Sequence, residues 1–206
     1  MIALAPWLLL SYLIGAIPTS YLAGRIFRGV DLRDHGSGNL GATNLYRALG
    51  WKYAIPVGLL DIAKGVIPVV LIAPQVSGSQ RVAAAFGVAA VIGHVYSVFV
   101  RFRGGKGVAT AAGVMLGLAP LAIAALLVVW AVIVFGTGYV SLGSVVAASL
   151  LPLAVWILHP GARELLPIVA LVAAAIVWLH RANLRRLLAG TENRFGRRRT
   201  ATPPAA

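Results

Sequence analysis

The chain has 206 residues, of which 60% are hydrophobic and 11% charged, with a formal net charge of +13. Soluble domains carry about a quarter charged residues, so this composition excludes a water-soluble globular protein and points to an all-α, polytopic integral membrane protein. The charge does not indicate nucleic acid, because the cations crowd between apolar runs and at the C-terminus, not along a polar groove. The absence of cysteine excludes disulfides and a cysteine thioester intermediate.

Residues 2–24 read as a first span, entered past Pro6 and Trp7 and carrying Pro18 near its inner end. No Lys or Arg precedes it, so it lacks the basic n-region of a signal peptide. Arg25 and Arg28 follow it, which places the N-terminus outside. Residues 30–50 are polar, glycine-rich and too charged for the bilayer core. A second span, 52–73, contains Asp61 and Lys64. After a short turn comes a third, 82–100, and then a basic turn. Residues 108–118 form an apolar segment of about 11 residues, below the ~17–25 that cross upright. Pro120 interrupts the pattern, 121–135 continue it, and Gly136 to Tyr139 break it. Spans 140–158 and 165–179 complete the apolar part.

If 108–135 were one helix, six spans would leave both ends outside. A break at Pro120 gives seven spans, two of them short, with the C-terminus cytoplasmic. The positive-inside rule favours seven. It then leaves only Arg81 and Arg163 facing outward, with Lys64 inside a span, whereas six spans would expose the tail's arginines from Arg181 to Arg199. Residues 1–195 are expected to be one membrane-embedded domain, and 196–206 a basic, disordered tail.

Three polar clusters stand out. In the turn from Arg101 to Gly107, Gly104, Gly105 and Gly107 let backbone N–H groups converge. Lys106 adds a point charge, Arg101 and Arg103 add forked donors, and the helix beginning near Val108 aims its positive end at the same place. This suits a phosphate, although a basic turn marking the cytoplasmic side serves equally on these residues alone. It is not a nucleotide P-loop, which needs glycine at Val100 and Ser or Thr at Gly107.

The second cluster runs from Gly36 to Arg47. Ser37, Asn39, Thr43 and Asn44 present hydroxyls and amides around Gly41, and Thr43 or Asn44 is expected to cap a helix that places Arg47 one turn on. A glycine-rich connector is the plainer reading. In the third cluster His180 and Asn183 are neighbours three residues apart on a helix leaving the membrane. Arg185 and Arg186 follow, and Glu192 is expected to partner arginines. His180 is suited to proton transfer or phosphate binding, or equally to an interfacial role.

Asp61 and Lys64, at i and i+3 inside a span, are expected to face the bundle interior and pair. They, His94 and Glu192 read as structural or supporting residues. Ser141 falls on the cytoplasmic side after the Gly136 break, with Ser144. Four histidines and five acids, without H-E-x-x-H spacing, give no metal site and no cofactor. There is also no G-x-S-x-G elbow.

Taken together, Gly36-Ser-Gly-Asn-x-Gly-Ala-Thr-Asn44-x-x-Arg47, Gly93-His-x-x-Ser-Val-Phe with Phe102-Arg-Gly-Gly-Lys-Gly-Val-Ala-Thr110, and His180-Arg-x-Asn-x-x-Arg-x-x-x-Gly-x-Glu192 resemble the bacterial membrane acyl-phosphate:glycerol-3-phosphate acyltransferases, the PlsY family. The resemblance covers roughly residues 5–195, with Leu184 where isoleucine is usual.

It implies transfer of an acyl chain from acyl phosphate to the 1-hydroxyl of sn-glycerol 3-phosphate, giving lysophosphatidic acid and phosphate, without a covalent acyl-enzyme. By this resemblance Ser37, Arg47, His180 and Asn183 are catalytic. Asn39, Gly41, Thr43, Asn44, Arg103, Gly104, Gly105, Lys106, Gly107 and Ser141 bind substrate, with the Gly104–Gly107 turn on the glycerol phosphate. The proton acceptor is His180 or an oxygen of the acyl phosphate. The implied setting is the bacterial inner membrane, with the site on its cytoplasmic face and functional coupling to the enzyme that makes acyl phosphate. A transporter of organic anions is the rival class, but its midplane site and repeat symmetry have no counterpart in these clusters.

Overall fold

The computed structural model describes residues 3–195, and the 196–206 tail lies outside them. The described chain is helical: α1 (Ala5–Ala16), α2 (Thr19–Arg28), α3 (Ala42–Leu49), α4 (Trp51–Val66), α5 (Ala73–Val76), α6 (Gln80–Val95), α7 (Val108–Leu118), α8 (Pro120–Thr137), α9 (Val140–Leu158), α10 (Leu166–Leu179) and α11 (Arg181–Leu188). Six continuous stretches are long and apolar enough to cross a membrane: Ala5–Arg28, Trp51–Val76, Gln80–Val100, Pro120–Thr137, Val140–Leu158 and Pro160–Leu179. Among the described residues, Val108–Leu118 is a shorter apolar helix beside these six.

The expected break falls at Ala119, whose ψ of 66° leaves the helix just before Pro120. A residue before proline is pushed out of the helical region. Of the two pieces only α7, with 11 residues, is short; α8 runs for 18.

Proline sets the first span too. Ile17 takes ψ 116° ahead of Pro18, so the span is two helices, α1 and α2, joined at a kink. The carbonyls turned out of the helix there find side-chain donors. Ser97 Oγ donates to the Ala16 oxygen at 2.5 Å and Lys64 Nζ to the Ile17 oxygen at 2.6 Å. No water reaches such groups inside a bilayer, so a kink needs replacement partners of this kind.

α1 lies along α6 through small residues, Gly15 against Ala90 and Gly93 against Tyr12, the close backbone approach that binds helices where both faces are apolar. A second core joins α7, α8, α9 and α10 through Met115, Ala122, Leu126, Leu151 and Val169. Many large apolar residues lie on the outer surface instead, Phe135 at 76% and Leu171 at 67% exposed, as helices turned toward lipid require.

Candidate functional site

A cavity of about 500 Å³ opens between α3 and α4 on one side and α7, α8, α9 and α10 on the other. One end is polar, lined by Ser37, Asn39, Arg47, Lys106, Ser141, His180, Asn183 and Glu192. The other is apolar, lined by Ile55, Leu59, Ile123, Leu126, Leu127, Trp130 and Leu151. The three clusters named from sequence therefore meet at one place. Gly41, Thr43, Asn44, Asp61, His94 and Gly107 also line it. Arg103 is exposed, and it does not line the cavity; nor do Gly104, Gly105 and Lys64.

Asn44 departs from its expected capping role. Gly41 is the N-cap of α3, which puts Thr43 and Asn44 inside the helix. The Asn44 side chain, 1% exposed, points back into the preceding loop. Its Oδ1 accepts from the Ser37 amide at 2.9 Å, and its Nδ2 donates to the Leu32 and His35 carbonyls at 3.0 and 2.9 Å. The stretch from His35 to Gly41 is irregular and leaves such backbone groups short of regular partners, and a buried group left unpaired is costly. Asn44 thus fixes the loop that carries Ser37.

In the basic turn, Gly105 N–H donates to the His94 carbonyl at 3.1 Å and Gly104 N–H to that of Val95 at 2.9 Å. A Cβ at Gly104 would overlap the His94 carbonyl oxygen, and one at Gly105 would overlap His94 Nε2. These two glycines are dictated by close packing on His94. Beneath lies a buried polar stack, in which Asp61 Oδ1 accepts from Lys64 Nζ and from Thr19 Oγ1, each at 2.6 Å. His94 Nδ1 stands 3.7 Å from the same oxygen. The expected pair is present, and Thr19 belongs with it. Nothing in the sequence tied Thr19 to Asp61, because the contact is created by the kink at Pro18.

At the polar end, Lys106 Nζ donates to Asn183 Oδ1. The Glu192 carboxylate accepts from Asn183 Nδ2 at 2.7 Å, from Ser141 Oγ at 3.0 Å and from Arg186 Nε at 2.6 Å. Arg47 has no hydrogen bond or ion pair among the described residues and faces the cavity with its charge free. Burial, reinforced by the charges of Arg186 and Arg47, lowers the Lys106 pKa to about 8, against the opposing pull of Glu192. Burial and then the Lys106 charge lower His180 to about 4, so it is neutral at physiological pH. Its Nδ1 lies 2.8 Å from the Ile176 carbonyl. The carbonyl can only accept, which assigns the proton to Nδ1 and leaves Nε2 as the nitrogen with a lone pair. Burial raises the Glu192 pKa, but hydrogen bonds from Asn183, Arg186 and Ser141 outweigh it and hold the carboxyl below its ordinary range.

Residues 190–195 cross back over the α8–α9 turn. Phe195 N–H donates to the Gly138 carbonyl at 2.6 Å, its ring stacks on Tyr46 of α3 at 4.7 Å, and Arg194 Nε donates to the Tyr139 hydroxyl at 3.0 Å. This strap has no signature in the sequence, where Phe195 is a lone aromatic in a basic tail. Among the described residues no group of three or more His, Asp or Glu is placed to hold a metal ion.

Comparison with known proteins shows the family and the fold. A family model described as "Glycerol-3-phosphate acyltransferase" matches residues 5–190. A glycerol-3-phosphate acyltransferase of Geobacter sulfurreducens is 49% identical over 186 residues, covering 90% of this chain and 94% of that protein. One of Trichlorobacter lovleyi is 46% identical, covering 92% and 96%. The crystal structure of PlsY (YgiH), an integral membrane glycerol 3-phosphate acyltransferase, in its glycerol 3-phosphate form superposes with a TM-score of 0.87. Its identity is 39%, and 94% of this chain and 96% of that one are covered. The lysophosphatidic acid form of PlsY gives a TM-score of 0.83 at 38% identity, covering 94% and 95%.

Proposed function

The chain belongs to the glycerol-3-phosphate acyltransferase family, and we propose that it moves an acyl chain from acyl phosphate to the 1-hydroxyl of sn-glycerol 3-phosphate, releasing lysophosphatidic acid and phosphate. One observation carries this reading. A single cavity joins an end bearing Arg47, Lys106 and His180 to an apolar slot between helices. Two phosphates repel unless cations lie between and around them, and the slot accepts the chain without removing it from an apolar medium.

An acyl phosphate is already an activated anhydride, so no nucleophilic side chain is required and the lack of cysteine costs nothing. Arg47 and Lys106 hold the phosphates. Ser37 and the Asn183 N–H not committed to Glu192 supply donors near the carbonyl, where charge develops on the oxygen as the hydroxyl attacks, and Ser141, whose hydroxyl donates to Glu192, lines the site beside them. The carbon–oxygen bond to the incoming hydroxyl forms as the carbon–oxygen bond to phosphate breaks. The hydroxyl proton passes either to Nε2 of His180 or to an oxygen of the departing phosphate. Positioning and charge stabilisation together supply the acceleration.

The cation distribution supports an N-terminus outside and a site on the cytoplasmic face, and the reading carries with it a bacterial inner membrane and a supply of acyl phosphate from the enzyme that makes it. Residues 1–195 act as one domain, with 196–206 as an appendage.

Purified protein in detergent, supplied with glycerol 3-phosphate and either acyl phosphate, acyl-CoA or acyl carrier protein, tests the donor. Product from acyl phosphate alone is expected, and turnover with acyl-CoA alone overturns the assignment. A His180→Asn variant with an unchanged rate and pH profile would leave the substrate phosphate as proton acceptor.

A further inference from the structure

Glu192 is an anion in a site built for anions. Its side chain is 2% exposed and takes hydrogen bonds from Ser141, Asn183 and Arg186 at 3.0, 2.7 and 2.6 Å. Asn183 in turn accepts from Lys106, so the carboxylate lies one amide away from the cavity's lysine. Arg47 and Lys106 both feel its charge. The strap that carries it is fastened at both sides, by the Thr191 N–H on the Arg186 carbonyl at 2.8 Å and by Phe195 on Gly138 and Tyr46. Glu192 is therefore fixed in place, and a phosphate entering the cavity meets it as a standing negative charge.

We propose that Glu192 is a built-in counter-charge that weakens the site's hold on phosphate, so that inorganic phosphate leaves once the acyl chain has been transferred. This rests on the acyl-phosphate reading above. A cavity with Arg47 and Lys106 in its wall, Arg186 behind them and no internal anion binds a small multivalent product tightly, and tight product binding slows turnover. A carboxylate held within the same set of donors offsets that attraction without occupying the cavity. Ser141, Asn183 and Arg186 are positioned by it at the same time. A purely structural role for Glu192 and the counter-charge predict opposite signs for phosphate affinity.

The test is calorimetric titration of inorganic phosphate into full-length protein in detergent, beside phosphate product inhibition in the transfer assay. Glu192→Gln keeps an oxygen for Ser141 and Asn183 but loses the charge, and is expected to bind phosphate about ten-fold tighter. Glu192→Asp keeps the charge and is expected to stay within about two-fold of the unaltered chain. Glu192→Gln leaves Arg186 unpaired and is open to misfolding. The same comparison is therefore made between Arg186→Gln and Arg186→Gln/Glu192→Gln, where the double variant is expected to bind tighter than the single one. Phosphate bound by the unaltered chain but equally or more weakly once Glu192→Gln is introduced, in both backgrounds, overturns the counter-charge alone. An unaltered chain that binds neither phosphate nor glycerol 3-phosphate and transfers no acyl chain overturns the proposed function, and this inference with it.

Discussion

Lys64, in the last turn of α4, donates from Nζ to the carbonyl oxygen of Ile17 at 2.6 Å, the oxygen turned out of the first span by Pro18. The same nitrogen pairs with Asp61 at 2.6 Å. The ion pair thus does more than neutralise itself, for it completes the backbone of a kinked helix. Removing one partner strands the other charge, at a cost of about 3–5 kcal/mol, whereas replacing both with apolar residues is often near neutral. Lys64→Met is expected to lower the thermal unfolding midpoint in detergent severely. Asp61→Leu/Lys64→Met is expected to recover most of the loss, with a remainder for the Ile17 carbonyl, which then keeps only the Thr19 N–H at 3.0 Å.

The two glycines before Lys106 are expected to fail differently. Alanine at 104 meets the His94 carbonyl, which is backbone, while alanine at 105 meets chiefly the far end of the His94 ring, with the Leu40 carbonyl oxygen 3.0 Å away. Backbone cannot yield without moving α6, but a ring can rotate. Gly104→Ala should therefore lose folded protein, measured by size-exclusion yield. Gly105→Ala should fold and raise the KM for glycerol 3-phosphate by about ten-fold, because Lys106 is carried on the displaced turn. Equal behaviour of the two would remove His94 as the seat of that turn.

Hydropathy and the glycine/cation motifs were enough to place the spans, the break at Pro120 and the pairing of Asp61 with Lys64, because each is a local consequence of burying polar groups in lipid. Meeting of the three clusters was also readable, since the positive-inside count put them on one face. The use of Asn44 was not. An asparagine near a helix start reads as a cap, and only the folded loop shows that its amide is needed by Ser37, Leu32 and His35. The purpose of Gly104 and Gly105 was equally hidden, because a sequence cannot show what a missing Cβ makes room for. The strap at Phe195 depends on contacts with Tyr46 and Gly138, both far away along the chain.

With Lys106 lowered to about 8, its charge is present below that pH and lost as pH rises through it. The kcat/KM for glycerol 3-phosphate is expected to fall above about pH 8, since this ratio reports the free enzyme. Bound phosphate favours the charged amine, so the corresponding limb in kcat should lie higher. Lys106→Arg should abolish the limb, because a guanidinium stays charged throughout. His180, at about 4, is expected to contribute no limb between pH 5 and 7. A persistent alkaline limb in Lys106→Arg would assign it to another group.

Ile123 lines the cavity and lies on α8 about 21 Å from Thr137, at roughly 1.5 Å per residue. A bulky residue there should shorten the slot at the end remote from the cations. Ile123→Trp is expected to lower kcat/KM for long acyl phosphates at least about ten-fold and to leave short ones within about two-fold. A uniform loss across chain lengths would mean that the chain lies elsewhere.

The brevity of α7 sets where the two substrates meet. Its 11 residues rise about 16 Å, whereas the neighbouring α8, which starts where α7 ends, returns about 27 Å with its 18 residues. With both helices upright and antiparallel in the bilayer, the start of α7, and Lys106 with it, lies roughly 10 Å deeper than the end of α8. In a hydrocarbon slab about 30 Å thick, the water-borne reactant has to descend to the fatty one. The long tail is never hauled up into solvent, and the newly made lipid is born already at the depth where it will reside.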